Sequence, residues 1–492
     1  MSLSNSTTSL PETDQIMQQS KEAFLTYKKV SDFKKAFFLE QIALEIEALG
    51  DEFIYTTMTE TNLPEARLKG ERGRTTMQLR MFASMLKEGS WVDASIDQAN
   101  DEKVPAKPDL RKMLIPLGPV IVFGASNFPY AYSTAGGDTA SALASGCSVV
   151  VKAHPAHLRT SIIVAEAIAK AVAKCNMPKY VFQHTESDSF ELGKALVQHP
   201  LTAAVGFTGS FLGGKALYDY AAARISPIPV FSEMGSTNPV LLLHGALENN
   251  ATSIAQQYAT SITLGAGQFC TNPGILIGIA SPSFNDFLNE LRTSIQKIAP
   301  AKMLHEQIFN AFQTKSAKAI NTEGVMALNS DFIYNEHAAT PIIATVKADK
   351  FISDRNLQEE IFGPYAIVVI CKDIHELKVA WQSVSGQLTT TLMGTNADFA
   401  ANPELIDIAT SIAGRVLFNG VPTGVEVCAS MVHGGPFPAT TDSRFTSVGI
   451  NAVKRWVRPV CYQNCPDHLL PDALKNNNPL NIKRMVDGVG CK

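Results

Sequence analysis

Apolar positions divide the chain into a helical beginning and a long alternation of strands and helices. Between residues 14 and 90, Phe33, Phe37, Phe38, Ile42, Ile46 and Leu49 recur at spacings of three and four, the period of a helix face. A proline- and lysine-bearing stretch, 100–112, interrupts that pattern. From Met113 to Arg224, PVIVFGA, CSVVVKAH, KYVFQHT and TAAVGFTGS read as strands, and STAGGDTASALASG, SIIVAEAIAKAVAKC and ELGKALVQHP as the helices among them. This alternation predicts right-handed βαβ units on a parallel sheet covered on both faces. NPVLLLHG opens a second α/β stretch to about residue 445, with strand candidates TNPGILIGIA, GPYAIVVI, TTTLMGT and GRVLFNG. RFTSVGINAVKRWVRPVCYQN reads as an extended strand, and a polar Asn/Pro-rich tail follows. Such a sheet takes its ligand in a crevice at the carboxyl ends of its strands.

Composition narrows the class. A chain of 492 residues, 45% hydrophobic, is too long for one core and predicts two large domains or a few. With 42 basic against 46 acidic residues there is no long-range field for nucleic acid or an anionic membrane. The 8 cysteines form no C-x-x-C pair, which argues against a disulfide framework and a zinc site, so no metal is expected. The start, MSLSNSTTSLPETDQIMQQ, lacks a basic-then-apolar signal, and no apolar run approaches the roughly 20 residues that span a bilayer. The expectation is a cytoplasmic globular protein.

Several short motifs lie at predicted strand ends. FTGSFLGG puts Gly209 and Ser210 between a strand and a helix start, where backbone N–H groups attract phosphate; alone, it equally fits a bare βα turn. Lys152 and His154, in VVVKAHP, stand just beyond a strand, suited to a ribose or its phosphate, or simply to solvent. Glu233, in PVFSEMG, could act as a general base if burial raises its pKa, or be an exposed carboxylate. Cys270, in GAGQFCTNP, has the open polar loop that suits a reactive thiolate, although most cysteines pack as small hydrophobes.

The order of FGASNFPYAYS, EMGSTNP, GQFCTNP and QEEIFGP, with the spacing of Asn127, Lys152, Gly209, Glu233, Cys270 and Glu360, resembles the aldehyde dehydrogenase superfamily from about residue 15 to 465. The resemblance implies that Cys270 attacks an aldehyde to give a thiohemiacetal and then a thioester. It implies Asn127 as an oxyanion donor and Glu233 as the base for hydrolysis. It further implies Lys152, Gly209, Ser210, Glu360 and Phe362 around a nicotinamide cofactor. Relatives that prefer NAD usually carry a glutamate three residues after the lysine; here Pro155 stands there, so NADP is expected to be preferred, with NAD possible, and His154 to help hold the phosphate.

Further motifs, GRTTMQLR, HPAH, GVPTGVEV and RPVCYQN, resemble the branch of 2-oxoglutarate semialdehyde (2,5-dioxopentanoate) dehydrogenases, with NADP-linked fatty aldehyde dehydrogenases as the alternative. A short acidic substrate needs a cation at the far end of its tunnel, for which Arg74 and Arg444 are candidates; His433 is a candidate beside Cys270 or the substrate. The implied fold is a Rossmann-like cofactor domain (1–97 and 117–234), an α/β catalytic domain (235–447) and a β oligomerisation arm (98–116 and 448–466), with 467–492 a polar tail. A homodimer or homotetramer is expected. The rival from another class is a cysteine hydrolase pairing Cys270 with His433.

Overall fold

The structure, a computed structural model, describes residues 10–329 and 337–491; the polar start, residues 1–9, lies outside them. Four helices open the chain: α1 (Leu10–Tyr27), α2 (Asp32–Glu47), α3 (Asp51–Thr61) and α4 (Glu65–Glu88). In α2 the buried stripe runs through Lys35, Phe38, Leu39, Ile42 and Ile46. Phe33 and Phe37, expected on that face, are 66% and 56% exposed. At 100° per residue they fall outside an arc centred on Ile42, so spacing alone over-counted the face.

A five-stranded sheet follows, built from β1 (Val120–Phe123), β2 (Val149–Lys152), β3 (Phe182–Thr185), β4 (Ala204–Thr208) and β5 (Val230–Glu233). Every neighbouring pair is parallel and the order is β3-β2-β1-β4-β5. The order reverses between β1 and β4, which makes their carboxyl ends the ligand crevice. The register aligns Phe123 with Lys152 and Phe207, and Thr208 with Glu233, so the chemistry-bearing residues share one edge.

A second, seven-stranded sheet comprises β6 (Val240–Leu242), β7 (Ile275–Ile279), β8 (Val325–Ala327), β9 (Ile342–Lys347), β10 (Tyr365–Cys371), β11 (Gln387–Met393) and β12 (Ala413–Phe418). Its order is β8-β9-β10-β7-β6-β11-β12, with β8 antiparallel and the rest parallel. The residues of its central strands are almost all buried, as expected of strands packed on both faces.

The third sheet pairs Leu110–Pro116 with Val457–Gln463 in antiparallel register. Three differences from expectation lie here. The extended reading of RFTSVGINAVKRWVRPVCYQN holds only for Val457–Gln463. Gly449, at φ +84°, turns the chain into a 3₁₀ segment, Ile450–Trp456, whose Trp456 is fully buried and donates to Ser141 Oγ at 2.7 Å. Ser95–Asp97, expected with the cofactor domain, pairs with Leu110–Lys112 in this sheet. The expected polar tail carries Arg484–Val486 and Val489–Cys491 as further strands, and its Leu470, Leu474 and Ile482 pack on Val92 and Ile96. Among the described residues no helix is long and apolar enough to cross a membrane.

Candidate active site

Glu233 ends β5 at the crevice. Beyond it, the Met234 N–H donates to Ala439 O at 2.8 Å, and the Thr441 N–H to Ser232 O at 3.2 Å. The segment containing 439–441 therefore runs along the free side of β5 and brings His433 and Ser447 onto Glu233. The Ser447 hydroxyl donates to Glu233 Oε2 at 2.7 Å, and His433 Nε2 lies 2.9 Å from Oε1. Cys270 Sγ is 3.5 Å from the same Nε2. The sulfur, the imidazole nitrogen and the carboxylate oxygen all fall within 4.8 Å of one another.

The electrostatics follow from that packing. Burial pulls the Glu233 pKa up, but the adjoining His433 and the hydrogen bond from Ser447 outweigh it, leaving the carboxyl below its ordinary range. Burial, and then the neighbouring Glu233, push the Cys270 thiol well above its usual value. At neutral pH the site therefore holds a thiol beside a carboxylate, and a base must take the thiol proton before sulfur can attack.

The loop that presents Cys270 is unusual backbone. Gly265, Ala266 and Gly267 have φ of +56°, +55° and +66°. A left-handed alanine costs on the order of 1 kcal/mol, strain of the kind found at functional loops. At Gly267 a Cβ would collide with the Gly363 carbonyl, so only glycine fits. Asn238 Nδ2 donates to the carbonyls of Cys270 and Asn272, each at 2.9 Å. Asn238 is itself fixed by Gln387, whose Oε1 accepts from the N–H groups of Thr237 and Asn238 and from the Ser236 hydroxyl. The Asn127 amide, just past β1, donates to Gln268 O at 3.2 Å and so lies against the loop carrying the thiol.

The rest of the crevice can be tested for a dinucleotide. Lys152 is half-buried at the end of β2, its pKa lowered by burial, and it forms no ion pair among the described residues. His154 Nδ1 accepts from the Ala156 N–H at 3.1 Å. Burial, with His157, His305 and Lys152 nearby, pushes its pKa down to about 3, so it is a neutral ring with Nε2–H left to donate. Ser210 caps the helix Phe211–Ala222 by accepting from the Gly213 N–H at 3.2 Å, and the Gly209 N–H is spent on Glu233 O at 3.0 Å. What this turn offers a phosphate is therefore the exposed first turn of the helix and its dipole, not the Gly209 amide. Burial raises Glu360 to about 7 against a hydrogen bond from the Ser236 N–H, and the missing Cβ of Gly235 gives its carboxylate room. Glu360 and Phe362 line one pocket with Ser236, Thr237 and Phe269. A free lysine, a helix N-terminus and a carboxylate along one crevice fit a nicotinamide dinucleotide.

Arg74 Nη2 donates to the Tyr132 hydroxyl at 3.3 Å, and the Tyr132 ring centroid lies 6.2 Å from that of His433. Arg444 is a correction: its side chain is 79% exposed and paired with Asp442 at 2.6 Å, so it serves the surface. Sequence reading missed Ser447, Gln387, Arg67 and Arg415. Arg67 had a readable signal, seven residues before Arg74 on the same helical face. The other three touch the site only through long-range folding.

Residues 4–435 match the profile described as the aldehyde dehydrogenase family. The chain belongs to the aldehyde dehydrogenase family. It is thereby an oxidoreductase acting on an aldehyde with a nicotinamide acceptor. This aldehyde dehydrogenase is 45% identical over 489 residues to the alpha-ketoglutaric semialdehyde dehydrogenase of Acinetobacter baylyi, spanning 98% of this chain and 91% of that protein. Alpha-ketoglutaric semialdehyde dehydrogenase 2 of Azospirillum brasilense is also 45% identical, over 97% of this chain and 91% of its own length. Among solved structures, the NADP-dependent glyceraldehyde-3-phosphate dehydrogenase of Bacillus halodurans, complexed with NADP, shares the fold at a TM-score of 0.79 and 19% identity, covering 93% of this chain and 92% of that one. The 1-pyrroline-5-carboxylate dehydrogenase from Thermus with bound NAD does so at 0.78 and 18%, covering 93% and 86%.

Proposed function

We propose that this aldehyde dehydrogenase oxidises 2-oxoglutarate semialdehyde to 2-oxoglutarate through a thioester on Cys270, with NADP as the preferred acceptor. The observation that carries the chemistry is His433 Nε2, 3.5 Å from Cys270 Sγ and 2.9 Å from Glu233 Oε1. The substrate comes from the two relatives at 45% identity.

Each step uses a group already described. His433 Nε2 takes the thiol proton and releases it to solvent, and sulfur bonds to the aldehyde carbon. The carbonyl oxygen becomes an oxyanion held by the Asn127 amide and the Cys270 backbone N–H, donors worth roughly 3–4 kcal/mol each. When bound, the nicotinamide supplies the hydride acceptor that turns the thiohemiacetal into a thioester. Glu233, ionised and buried, then accepts a proton from water as its oxygen bonds to the carbonyl carbon. The C–S bond breaks, releasing the carboxylate product and Cys270.

The NADP preference rests on Lys152, the Nε2–H of His154, and Pro155 in place of a carboxylate that would repel a 2′-phosphate. The protein is proposed to be a cytoplasmic homodimer or homotetramer. Val457–Gln463 forms an edge of the third sheet, and its unpaired side is available to a second copy. Cofactor binding is assigned to the residues before 95 and to 117–234, and catalysis to 235–447.

A cysteine hydrolase fits less well. In a relay triad the acid holds one imidazole nitrogen and the nucleophile the other. Here both Glu233 and Cys270 approach Nε2, and His433 Nδ1 is buried without a partner. The test is a substrate panel followed by NADPH absorbance: 2-oxoglutarate, succinic and glutaric semialdehydes against hexanal to decanal, each with NADP and NAD. Preference for the first substrate with NADP supports the reading. Comparable kcat/KM on decanal overturns the substrate, a strong NAD preference overturns the cofactor, and turnover without cofactor as the main activity favours the hydrolase.

A further inference from the structure

Three arginines lie close enough to interact with the charge of Cys270, and none of them is salt-bridged among the described residues. Arg67 and Arg74 project from the same face of α4, and Arg415 comes from β12 at the edge of the second sheet. The Arg67 guanidinium is stacked 4.8 Å from the Phe128 ring centroid and 4.6 Å from that of Phe269, the residue before Cys270. Its Nη2 donates to Asn127 O at 2.7 Å. Arg74 lies 5.6 Å from the Tyr132 ring centroid and 6.0 Å from that of Phe128. Arg415 donates through Nη1 to Gly424 O at 3.0 Å and through Nη2 to Pro422 O. Its neighbour Gly414 packs directly on the backbone of Gly434, next to His433.

Each guanidinium keeps one buried nitrogen without a partner: Nη1 of Arg67, Nε of Arg74 and Nε of Arg415. None of the three forms a salt bridge among the described residues. Glu71 interacts electrostatically with Arg67 and Arg74 without a salt bridge; its Oε1 accepts from the backbone N–H groups of Tyr130 and Ala131 and its Oε2 is buried without a partner. Three cations therefore stand near Cys270 against the carboxylates of Glu71 and Glu233, with none of them salt-bridged and one buried nitrogen on each left over. Unpaired donors and uncompensated charge in a buried site are costly, and an anionic ligand removes both costs.

We propose that Arg67, Arg74 and Arg415 form the subsite for a 2-oxo acid group at the far end of the aldehyde substrate, one unpartnered nitrogen on each facing one of its two carboxylate oxygens and one keto oxygen. The inference rests on the aldehyde dehydrogenase reading of Cys270, and deepens it from a substrate name to the residues that select it. A plain ω-oxo acid offers two of those three oxygens, and an aliphatic aldehyde offers none. The expected order is therefore 2-oxoglutarate semialdehyde above glutaric semialdehyde above pentanal, all of five carbons.

The experiment measures kcat/KM for those three aldehydes in the wild type and in Arg415→Met, Arg74→Met, Arg67→Met and Arg415→Lys. It is read as the ratio of each acid to pentanal within one enzyme, so that a general loss of folding or activity cancels. Each Met variant is expected to lower the ratio about tenfold to a hundredfold, mostly through KM, the range for a hydrogen bond to a charged group. Arg415→Lys should recover part of it, since the charge returns without the forked geometry. A second readout is 2-oxoglutarate binding to Cys270→Ser by calorimetry, expected to weaken at least tenfold when Arg415→Met or Arg74→Met is added. Ratios and 2-oxoglutarate affinity unchanged in all three Met variants overturn the subsite. A wild type without preference for the acids over pentanal overturns the substrate reading itself, whatever the variants do.

Discussion

His433→Gln is the sharpest test of how the thiol is activated. The imidazole is 1% exposed and contacts two reacting groups through a single nitrogen, 3.5 Å from Cys270 Sγ and 2.9 Å from Glu233 Oε1. Glutamine fills similar volume, but its amide nitrogen has no lone pair that could accept the thiol proton. A positioned base contributes typically 10²–10⁴-fold, so acylation at pH 7 should fall about 100-fold or more, roughly 2.7 kcal/mol on the barrier. Because burial and Glu233 hold the thiol well above its ordinary pKa, the variant must lose that proton to solvent base. Its rate should climb nearly tenfold per pH unit from 6 to 9, where the wild type flattens. The assay is the rapid-mixing burst of NADPH across that range, with iodoacetamide alkylation of Cys270 in parallel and thermal melting to check folding. A burst within threefold of wild type at pH 7, with the same pH slope, refutes the reasoning.

Asn127→Ala removes one oxyanion donor and should lower the hydride-transfer burst by 10²–10³-fold with little change in substrate affinity; an unchanged burst would remove Asn127 from the reaction. Glu360, raised to about 7, gains its charge as pH rises through that value, and only then accepts ribose hydroxyls at full strength. The KM for cofactor should therefore fall between pH 6 and 8, and Glu360→Gln should flatten that dependence at the high value. Pro155→Glu sets a carboxylate against the 2′-phosphate and should shift the NADP/NAD ratio of kcat/KM toward NAD by about tenfold or more, since one charge contact of this kind is worth at least 1.4 kcal/mol. Val460→Asp, in the strand Val457–Gln463, should dissociate the oligomer in light scattering if that edge joins copies.

Much of this was legible before folding. The strands β1, β2 and β4 of the first sheet were short, largely apolar runs between turn residues, and parallel strands covered on both faces leave that signature. Lys152, Glu233 and Asn127 were legible for the same reason, since each follows a run whose end defines the crevice. The misses have physical causes. Trp456 reads as one more apolar residue in an extended run, and only its hydrogen bond to Ser141, more than 300 positions away, explains the turn that buries it. Arg444 and Arg415 are equally basic in sequence; a neighbouring Asp442 discharges the first at the surface, while backbone carbonyls hold the second without neutralising it. Ser447 and Gln387 act on groups more than a hundred residues distant, and no local pattern encodes that.

The strap at 439–441 that joins β5 also fixes the order in which the protein becomes dangerous to itself. Cys270 leaves the ribosome well before the residues that govern it, His433 and Ser447. At ordinary synthesis speeds that interval is on the order of ten to a few tens of seconds. During it the sulfur has neither its imidazole nor the locked carboxylate, so no positioned base can take its proton for attack on an aldehyde. A chain released early, anywhere before 433, therefore carries an idle cysteine instead of a reactive one. Reactivity is conferred by almost the last part of the catalytic region to be made, so only chains translated nearly to completion are armed.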